Sequence, residues 1–458
     1  MSRDPASFRD PGGHIHHVAD RILRTVLPHG REDYEFVRDT GLLQELQERG
    51  DLIRAEPVDR DILAAEAPDA CYVLAHPRLG VVSFPYEWSF PALKDAALLQ
   101  LNVHLAALER GVTLSDASAY NIQFEGPRAV FIDYLSFGRY REGEFWNGHR
   151  QFCEQFLNPL LLTSLTGVPF QAWYRGNLHG ISPVELAPLL PMRRRLSWRV
   201  FMHVVLQSRL QTPKVADEAT RVSRMKLPLE GYKRMLTSLR DWISGLTPSR
   251  HRTTQWEGYA TDNTYSEGDA RRKQAFVAEF VAGVQPRLLL DLGCNTGEYS
   301  AVAVRAGARS VVGLEADHGA LDAAYHRARA GGLPVLPLYC DALNPSPSQG
   351  WAGRERPGLT ERLHADAVLA LALIHHMAIA HNVPLGQVVD WIMDFASAGV
   401  IEFVPKSDPM AQRLLQLRRD IFADYVEDAF LAHVKRRAEV VATLRLEQSD
   451  RLLVWYRR

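Results

Sequence analysis

Short apolar runs alternate with longer amphipathic stretches throughout the C-terminal half of the chain. Continuous apolar strands separated by helical stretches are typical of a parallel sheet that helices cover on both faces. Near the end of the chain, two alternating runs flank Gln448–Asp450, which predicts an antiparallel hairpin. The pattern therefore predicts an α/β fold with a doubly wound sheet, whose strands lie in the runs Arg287–Gly293, Val311–Ala316, Pro334–Ala342, Asp366–Met377 and Ala398–Pro405.

The N-terminal half follows a different pattern. Short apolar runs precede the proline-bounded stretch Pro85–Pro91. After it, apolar residues recur at three- and four-residue steps over Leu93–Gly111, which predicts one long helix that stops at the glycine. Residues 150–243 continue a mostly helical pattern, so we expect this half to be α+β and largely helical.

These changes of pattern divide the chain into two predicted domains. The polar, proline-containing stretch 247–255 has the composition of a linker. We predict an N-terminal domain over 1–246, made of a small lobe (1–90) and a helical lobe (91–246), and a second domain over 256–458.

Composition and charge exclude several classes of protein. Of the 458 residues, 46% are hydrophobic and 23% are charged, as in ordinary globular proteins. Lys and Arg together number 53 and Asp and Glu 54, a net charge of −1. No overall field therefore attracts the chain to nucleic acid or to an anionic membrane. We expect its partner to be a small molecule.

The cysteines and the ends of the chain predict a cytoplasmic protein. Cys71, Cys153, Cys294 and Cys340 are far apart and lack metal-finger spacing, so we expect neither a disulfide scaffold nor a bound metal. The first residues carry acids, prolines and glycines, unlike a signal peptide. The most apolar stretch, 365–380, contains an aspartate and two histidines and is too short to span a membrane.

The strongest candidate for chemistry is the segment Leu288–Tyr299. A buried strand ends there at a turn containing Gly293 and Gly297, and a helix is predicted to follow at once. Glycines at such a turn let a ligand approach the backbone, because they carry no Cβ atom. The next two strands end in Glu315 and Asp341, whose carboxylates suit ribose hydroxyls and an adenine amino group.

Acidic residues surround this turn. Asp291 precedes the glycines and Glu298 follows them, whereas a dinucleotide fingerprint places a pyrophosphate on the helix N-terminus. An anion is disfavoured here and a cation is favoured. The chain from about residue 256 to 458 resembles class I S-adenosylmethionine-dependent methyltransferases. The resemblance rests on Asp291, Gly293 and Gly297 and on the later acids Glu315 and Asp341.

The resemblance implies roles for particular residues and a Rossmann-like fold. Upstream, Trp256, Tyr265 and Lys273 stand where such enzymes often carry a lid helix over the cofactor, although packing of the linker explains them equally well. The cofactor implied is S-adenosyl-L-methionine, and the residues implied to bind it are Asp291, Gly293, Cys294, Gly297, Glu315 and Asp341.

Candidate residues for the methyl acceptor follow the fourth strand. The Asn/Asp-Pro-Pro-aromatic motif of methylases that act on amino groups is missing there, and His375 and His376 stand in its place. Imidazole titrates near neutral pH, so His375 is a candidate base for a hydroxyl acceptor, or else a scaffold residue; for His376 we favour the scaffold role. Glu402, at the end of the fifth strand, either contacts the acceptor or, as we favour, caps the sheet.

A second set of residues lies in the N-terminal half. It consists of Asp116, Asn121 and Asp133, and an apolar run precedes the last of them. Phosphoryl transfer needs such a set, because one carboxylate orients the nucleophile and the other two groups hold magnesium. This pattern resembles the catalytic loop of aminoglycoside-type small-molecule kinases, and it implies Mg²⁺ and ATP as further ligands. The strand lysine of kinases is absent before Lys94, with Arg21 or Arg24 as substitutes, so the resemblance is to a degenerate kinase.

Both halves together resemble two-part methyltransferases that include host-specific nodulation proteins of rhizobia. We predict an S-adenosylmethionine-dependent methyltransferase that acts on a small molecule, with a hydroxyl favoured and the kinase-like half binding substrate or serving as scaffold. The alternative is a bifunctional or primary phosphotransferase that uses Asp116, Asn121 and Asp133. A third hypothesis is a cofactor-bound scaffold without activity.

Overall fold

The computed structural model describes residues 2–210, 227–249, 267–416 and 419–458. The chain divides into two compact units, Met1–Arg252 with Ser348–Pro357 and Thr253–Pro347 with Gly358–Arg458. Most of the predicted linker 247–255 lies outside the described residues, as do Trp256 and Tyr265. Among the described residues, no helix is both long enough and apolar enough to cross a membrane.

The first unit begins with a five-stranded antiparallel sheet in the order β1-β2-β3-β5-β4. Leu23 and Val73 are buried on it and pack with Leu63 and Ala67. Two helices, α1 (Pro28–Asp39) and α2 (Leu42–Arg49), connect β3 to β4. The strands are β1 (Ser2–Arg3), β2 (Ile15–Val18), β3 (Arg21–Val26), β4 (Glu56–Val58) and β5 (Tyr72–His76).

A long helix, α3 (Phe90–Glu109), follows this sheet and confirms the helix predicted from the apolar spacing. The Ser89 hydroxyl caps it by accepting a hydrogen bond from the Ala92 N–H. Gly111, with φ of +68°, follows its end. Two small antiparallel pairs come next, β6 (Val112–Leu114) with β9 (Phe137–Arg139) and β7 (Ile122–Glu125) with β8 (Arg128–Phe131).

The rest of the first unit is helical, as the pattern predicted. Two π-helical turns, Cys153–Leu157 and Phe201–Val205, interrupt its α-helices. Residues 348–357 also belong to this unit, where Arg9 makes a bidentate ion pair with Glu355 at 2.8 and 2.9 Å. The α-helices are α4 (His149–Phe152), α5 (Asn158–Thr166), α6 (Gln171–Gly176), α7 (Pro183–Leu189), α8 (Met192–Arg195), α9 (Trp198–Val200), α10 (Leu206–Leu210) and α11 (Leu229–Ser244).

The second unit is built on a seven-stranded sheet in the order β12-β11-β10-β13-β14-β16-β15. The first five strands in this order are parallel, and β16 runs antiparallel between β14 and β15. The strands are β10 (Leu288–Leu292), β11 (Ser310–Glu315), β12 (Val335–Tyr339), β13 (Ala367–Ala370), β14 (Ala398–Phe403), β15 (Glu439–Arg445) and β16 (Leu452–Arg457). This topology confirms the predicted doubly wound sheet with its antiparallel terminal hairpin.

The parallel strands are buried on both faces, which explains their nearly continuous apolar sequences. Leu289, Val311 and Val400 pack into one core with Phe280 and Trp455. The helices of this unit are α12 (Glu267–Val284), α13 (Glu298–Arg305), α14 (His318–Ala330), α15 (Leu359–Arg362), α16 (Leu385–Asp394), α17 (Pro409–Leu415) and α18 (Glu427–Arg437).

One boundary of the predicted sheet is wrong. The fourth strand was expected to continue through Asp366–Met377, but β13 ends at Ala370. Ala372 has φ of +51°, and its N–H donates to the buried Glu402 carboxylate at 2.7 Å instead of to a neighbouring strand. His375 and His376 therefore lie in a helical turn, where their ring centroids are 4.0 Å apart, and not on the alternating faces of a strand.

Candidate functional site

The loop between β10 and α13 bends sharply at its two glycines. Gly293 has φ of +72° and Gly297 φ of +75°, a region that L side chains rarely adopt. The N–H groups of Gly293 and Cys294 both donate to the Leu314 carbonyl, which ties the loop to β11. A Cβ atom at Gly297 would lie 3.3 Å from the Ala324 Cβ, so the turn leaves little room for a side chain.

Asp291 and Cys294 support this loop from inside the fold. The Ser300 hydroxyl donates to the Asp291 carboxylate at 2.6 Å, and burial raises the pKa of Asp291 to about 6. This bond joins the end of β10 to the first turn of α13. The Cys294 side chain is also buried and packs against Gly313, where an added Cβ atom would come within 2.7 Å of its Sγ.

Glu315 lies at the end of β11 and is oriented by three backbone N–H groups. Its carboxylate accepts hydrogen bonds from Asn295, Ala316 and Asp317, each at 2.8 Å. Burial raises the pKa of this carboxyl, and the three N–H groups oppose that rise. An ionised carboxylate has about four acceptor positions, so Glu315 keeps acceptor capacity beyond these bonds.

Asp341 stands two residues after the end of β12 and is half-buried. Its carboxylate accepts the Leu343 N–H at 3.0 Å, which holds the turn after the strand. Because β10, β11 and β12 are parallel neighbours, their carboxyl ends meet at one edge of the sheet. The structure thus brings Asp291, Glu315, Asp341 and the glycine loop to that edge.

A buried network of charges lies at the ends of β13 and β14. Lys273 Nζ donates to the Glu402 carboxylate at 2.7 Å, and both side chains are almost fully buried. Arg451 lies 3.7 Å from the same carboxylate and pairs with Asp408 at 2.7 Å. Glu402 thus holds the turn at Ala372, pairs with Lys273 and lies close to Arg451, which is more than the sheet cap expected from the sequence.

His375 lies on the turn that Glu402 holds. It is fully buried, and neither of its ring nitrogens has a hydrogen-bond partner among the residues that the structure describes. Burial, followed by the neighbouring His376, Arg451 and Lys273, lowers its pKa well below the usual value. His375 is therefore neutral at pH 7, with a nitrogen that can accept a proton. Burial likewise lowers the pKa of His376 to about 4.

The first unit assembles the second set of predicted residues. The Asn121 amide donates to the Asp116 carboxylate at 3.0 Å and to the Asp133 carboxylate at 3.4 Å. Arg24, on β3, donates to Asp133 at 3.1 Å and to the Ile132 carbonyl at 2.9 Å. Burial, followed by the charge of Asp133, raises the pKa of Asp116. The carboxylate expected to hold magnesium is thus already paired with a guanidinium.

A curated protein matches the chain from end to end. Nodulation protein NoeA from Rhizobium meliloti strain 1021 is 44% identical over 459 residues, covering 100% of this chain and 96% of that protein. The chain belongs to the NoeA family. The predicted relation to rhizobial nodulation proteins is thereby confirmed.

Solved structures also resemble part of this NoeA-family chain. The N-methyltransferase NodS from Bradyrhizobium japonicum WM9 matches at 11% identity and TM-score 0.32, covering 42% of this chain and 98% of that one. NodS in complex with S-adenosyl-L-homocysteine matches at 11% identity and TM-score 0.33, covering 45% and 93%. An O-methyltransferase family protein from Burkholderia thailandensis matches at 15% identity and TM-score 0.30, covering 41% and 56%. No family model matches the chain.

Sequence reasoning missed most of the buried charge network in this NoeA-family protein. Lys273 occupies the apolar face of α12, in phase with the buried Val277 and Phe280. A lysine at such a position is itself a signal, since lysine is almost never fully buried unless it is paired. Arg451, a charged residue next to the apolar strand β16, is unusual in the same way. Its partner Asp408 is distant in sequence, and no local pattern indicates the pairing.

Proposed function

We propose that this protein is an S-adenosylmethionine-dependent methyltransferase that acts on a small-molecule acceptor, with a hydroxyl favoured. The observation that carries the proposal is the sheet edge where Asp291, Glu315 and Asp341 follow three adjacent parallel strands beside the Gly293–Gly297 loop. Ligands of open α/β sheets bind outside the carboxyl ends of the strands. The acids at this edge favour a cation over a phosphate.

The residues at this sheet edge match the cofactor in charge and in hydrogen-bonding capacity. Glu315 is positioned to accept hydrogen bonds from ribose hydroxyls, and Asp341 from the adenine amino group. Gly293 and Gly297 allow the ligand to approach the backbone, while the buried Asp291 and Cys294 hold the loop in shape. When bound, S-adenosyl-L-methionine supplies the methyl group, activated on a sulfonium. The chain itself aligns the acceptor and excludes water.

We propose His375 as the base that accepts the proton of the acceptor hydroxyl. The ring is neutral, its nitrogens lack hydrogen-bond partners among the described residues, and Leu373, two residues earlier, lies beside Gly293 of the cofactor loop. Lys273 and Arg451 disfavour the imidazolium. The ring is therefore deprotonated throughout the neutral range, as a base must be, and its lowered pKa makes it a weak base.

Methyl transfer tests the proposal. The purified chain, given methyl-labelled cofactor and the small-molecule fraction of its own cells, should label a small molecule. Gly297→Ala should reduce labelling about 10-fold or more, because a Cβ atom there combines backbone strain with contact at Ala324. The matched control is Gly332→Ala, where φ is also positive but nothing lies within 4 Å of an added Cβ. Labelling that is absent in the wild type, or equal in both variants, would contradict the proposal.

For the first unit we propose a kinase-like module that binds the acceptor or serves as scaffold, and does not transfer phosphate. This rests on Arg24, whose guanidinium pairs with the Asp133 carboxylate that a magnesium ion needs. Both side chains are mostly buried, with 10% and 16% of their surfaces exposed, so the pair is not merely a surface contact.

A further inference from the structure

Three ligand-type side chains that belong to none of the sites described above meet in the helical part of the first unit. His149 begins α4, and Cys153 begins the π-helical turn one helical turn later. His203 lies in the second π-helical turn, Phe201–Val205. π-helical turns are rare and occur frequently at functional sites.

The ligand atoms of this cluster converge on one point. His149 Nε2 lies 3.2 Å from His203 Nδ1 and 3.7 Å from Cys153 Sγ, and all three atoms lie within 4.8 Å of one another. Around a tetrahedral zinc ion with its usual bond lengths, two nitrogens lie about 3.3 Å apart and a nitrogen and a sulfur about 3.6 Å apart. The two separations from His149 Nε2 match these values, and the third, between His203 Nδ1 and Cys153 Sγ, is at most 4.8 Å.

Hydrogen bonding alone explains this convergence less well. His149 Nε2 faces both His203 Nδ1 and Cys153 Sγ, but a ring nitrogen has only one lone pair or one hydrogen in the ring plane. It forms one well-aligned hydrogen bond and leaves the other neighbour poorly aligned. A cation at the centre satisfies all three atoms together.

The two imidazoles are in the protonation state that a metal ion requires, whereas the thiol has to lose its proton when the ion binds. Burial lowers the pKa of His149 to about 3 and of His203 to about 4, so both rings are neutral ligands at pH 7. Burial raises the pKa of the Cys153 thiol, so the thiol stays protonated and uncharged until a cation binds. On coordination, the thiol proton passes to solvent and a sulfur–metal bond forms.

We propose that His149, Cys153 and His203 form a Zn²⁺ site whose fourth position is taken by water. Imidazole and thiolate are the ligands that zinc prefers in proteins, and three protein ligands leave one position open. The ion fastens the segment that carries His203 to the helix that carries the other two ligands. The residues of this site belong to the first unit, whereas the proposed cofactor site lies in the second.

Cobalt substitution tests the site directly. The untagged full chain, stripped with a chelator, should bind one Co²⁺ per chain, with a thiolate charge-transfer band that Zn²⁺ abolishes. Cys153→Ser should remove that band and weaken zinc binding about 100-fold or more. Cys71→Ser, at a half-buried cysteine outside the cluster, is the matched control and should leave both unchanged.

A second measurement needs no substitution at the site and does not depend on a variant folding. Zn²⁺ should slow alkylation of Cys153 in the wild-type chain, as measured by mass spectrometry, and should leave the rate at Cys71 unchanged. A cobalt spectrum without a thiolate band, the same band in Cys153→Ser, or equal alkylation of Cys153 with and without zinc would overturn the proposal.

Discussion

At the scale of single residues, the ion pair between Lys273 and Glu402 places two charges almost fully inside the second unit. Burial lowers the pKa of Lys273, and the Glu402 carboxylate opposes this shift. Removing one partner of a buried pair leaves the other charge without compensation, which costs more than the pair itself contributes. The pair also sets the turn that carries His375, because Glu402 accepts the Ala372 N–H.

Replacement of the buried lysine should be strongly destabilising. Lys273→Met keeps most of the volume but removes the charge, and we expect the free energy of unfolding of the second unit to fall by about 3 kcal/mol or more. Denaturant unfolding measures it. Lys435→Met, at an exposed position, is the control and should change stability by less than about 0.5 kcal/mol. An equal effect of both variants would show that the buried pair carries no special stability.

Much of the candidate site was predictable at this scale. Glycines that require a positive φ and acids at strand ends follow local rules, and the structure has Gly293, Gly297 and Glu315 in such positions. The inward orientation of Asp291 was not predictable, because its hydrogen bond with Ser300 depends on how α13 packs against β10. No bound metal was expected from the cysteine spacing, although a spacing of four places His149 and Cys153 on one helix face.

At the scale of elements, β3 determines what Asp133 contacts. Arg24 on this strand donates to the Asp133 carboxylate and to the Ile132 carbonyl, so the carboxylate is already paired with a cation. From the sequence, Arg24 was one of two candidates to replace the strand lysine of kinases. Only the pairing of β3 with β2 and β5 determines which arginine points to Asp133.

Magnesium and ATP should therefore have little effect on this protein. We expect the thermal unfolding temperature to be unchanged by millimolar Mg²⁺-ATP in the wild type. Arg24→Ala tests the reason, because it frees the Asp133 carboxylate and should allow Mg²⁺-dependent stabilisation to appear. Stabilisation of the wild type by Mg²⁺-ATP that is lost in Asp133→Ala would contradict this expectation and support the phosphotransfer alternative.

The end of β13 illustrates a limit of sequence patterns for elements. The apolar run continues well past Ala370, so periodicity alone extends the strand. A side chain from another strand, Glu402, takes the backbone N–H group of Ala372 and ends the ladder. Tertiary hydrogen bonding of this kind leaves no trace in the local sequence.

At the scale of the whole molecule, buried histidines make stability depend on pH. Burial lowers the pKa of His104 to about 3. This ring joins three elements of the first unit, because its Nε2 lies 3.1 Å from the Thr113 hydroxyl, 3.3 Å from the Leu114 N–H and 3.4 Å from the Tyr232 hydroxyl. The side chain stays neutral in the folded state, whereas it binds a proton below pH of about 6.5 when unfolded.

The sign of the resulting pH dependence follows from proton binding. The unfolded state takes up more protons below pH 6.5, so the free energy of unfolding falls as the pH drops from about 6.5 toward 4, by about 1.4 kcal/mol per pH unit from this group. Denaturant unfolding at several pH values should show a slope that is smaller by this amount in His104→Gln. The exposed His29→Gln is the control. An unchanged slope in His104→Gln would contradict the assignment.

The division of the chain at this scale was only partly visible in the sequence. The change of pattern indicated two domains, but nothing local marks residues 348–357 as part of the first unit. Their ion pair joins Arg9 to Glu355, which are 346 positions apart, and it lowers the pKa of Glu355 to about 2. Contacts at such separations depend on the finished fold.

The most direct test of the central claim is calorimetric titration of the full chain with S-adenosyl-L-homocysteine. We predict saturable binding at one site per chain, and a loss of affinity of about 10-fold or more in Glu315→Gln, because charge-assisted hydrogen bonds to ribose are weakened. Glu279→Gln, an exposed glutamate on α12, should bind like the wild type. No binding by the wild type, or equal binding by Glu315→Gln, would contradict the assignment of this sheet edge as the cofactor site.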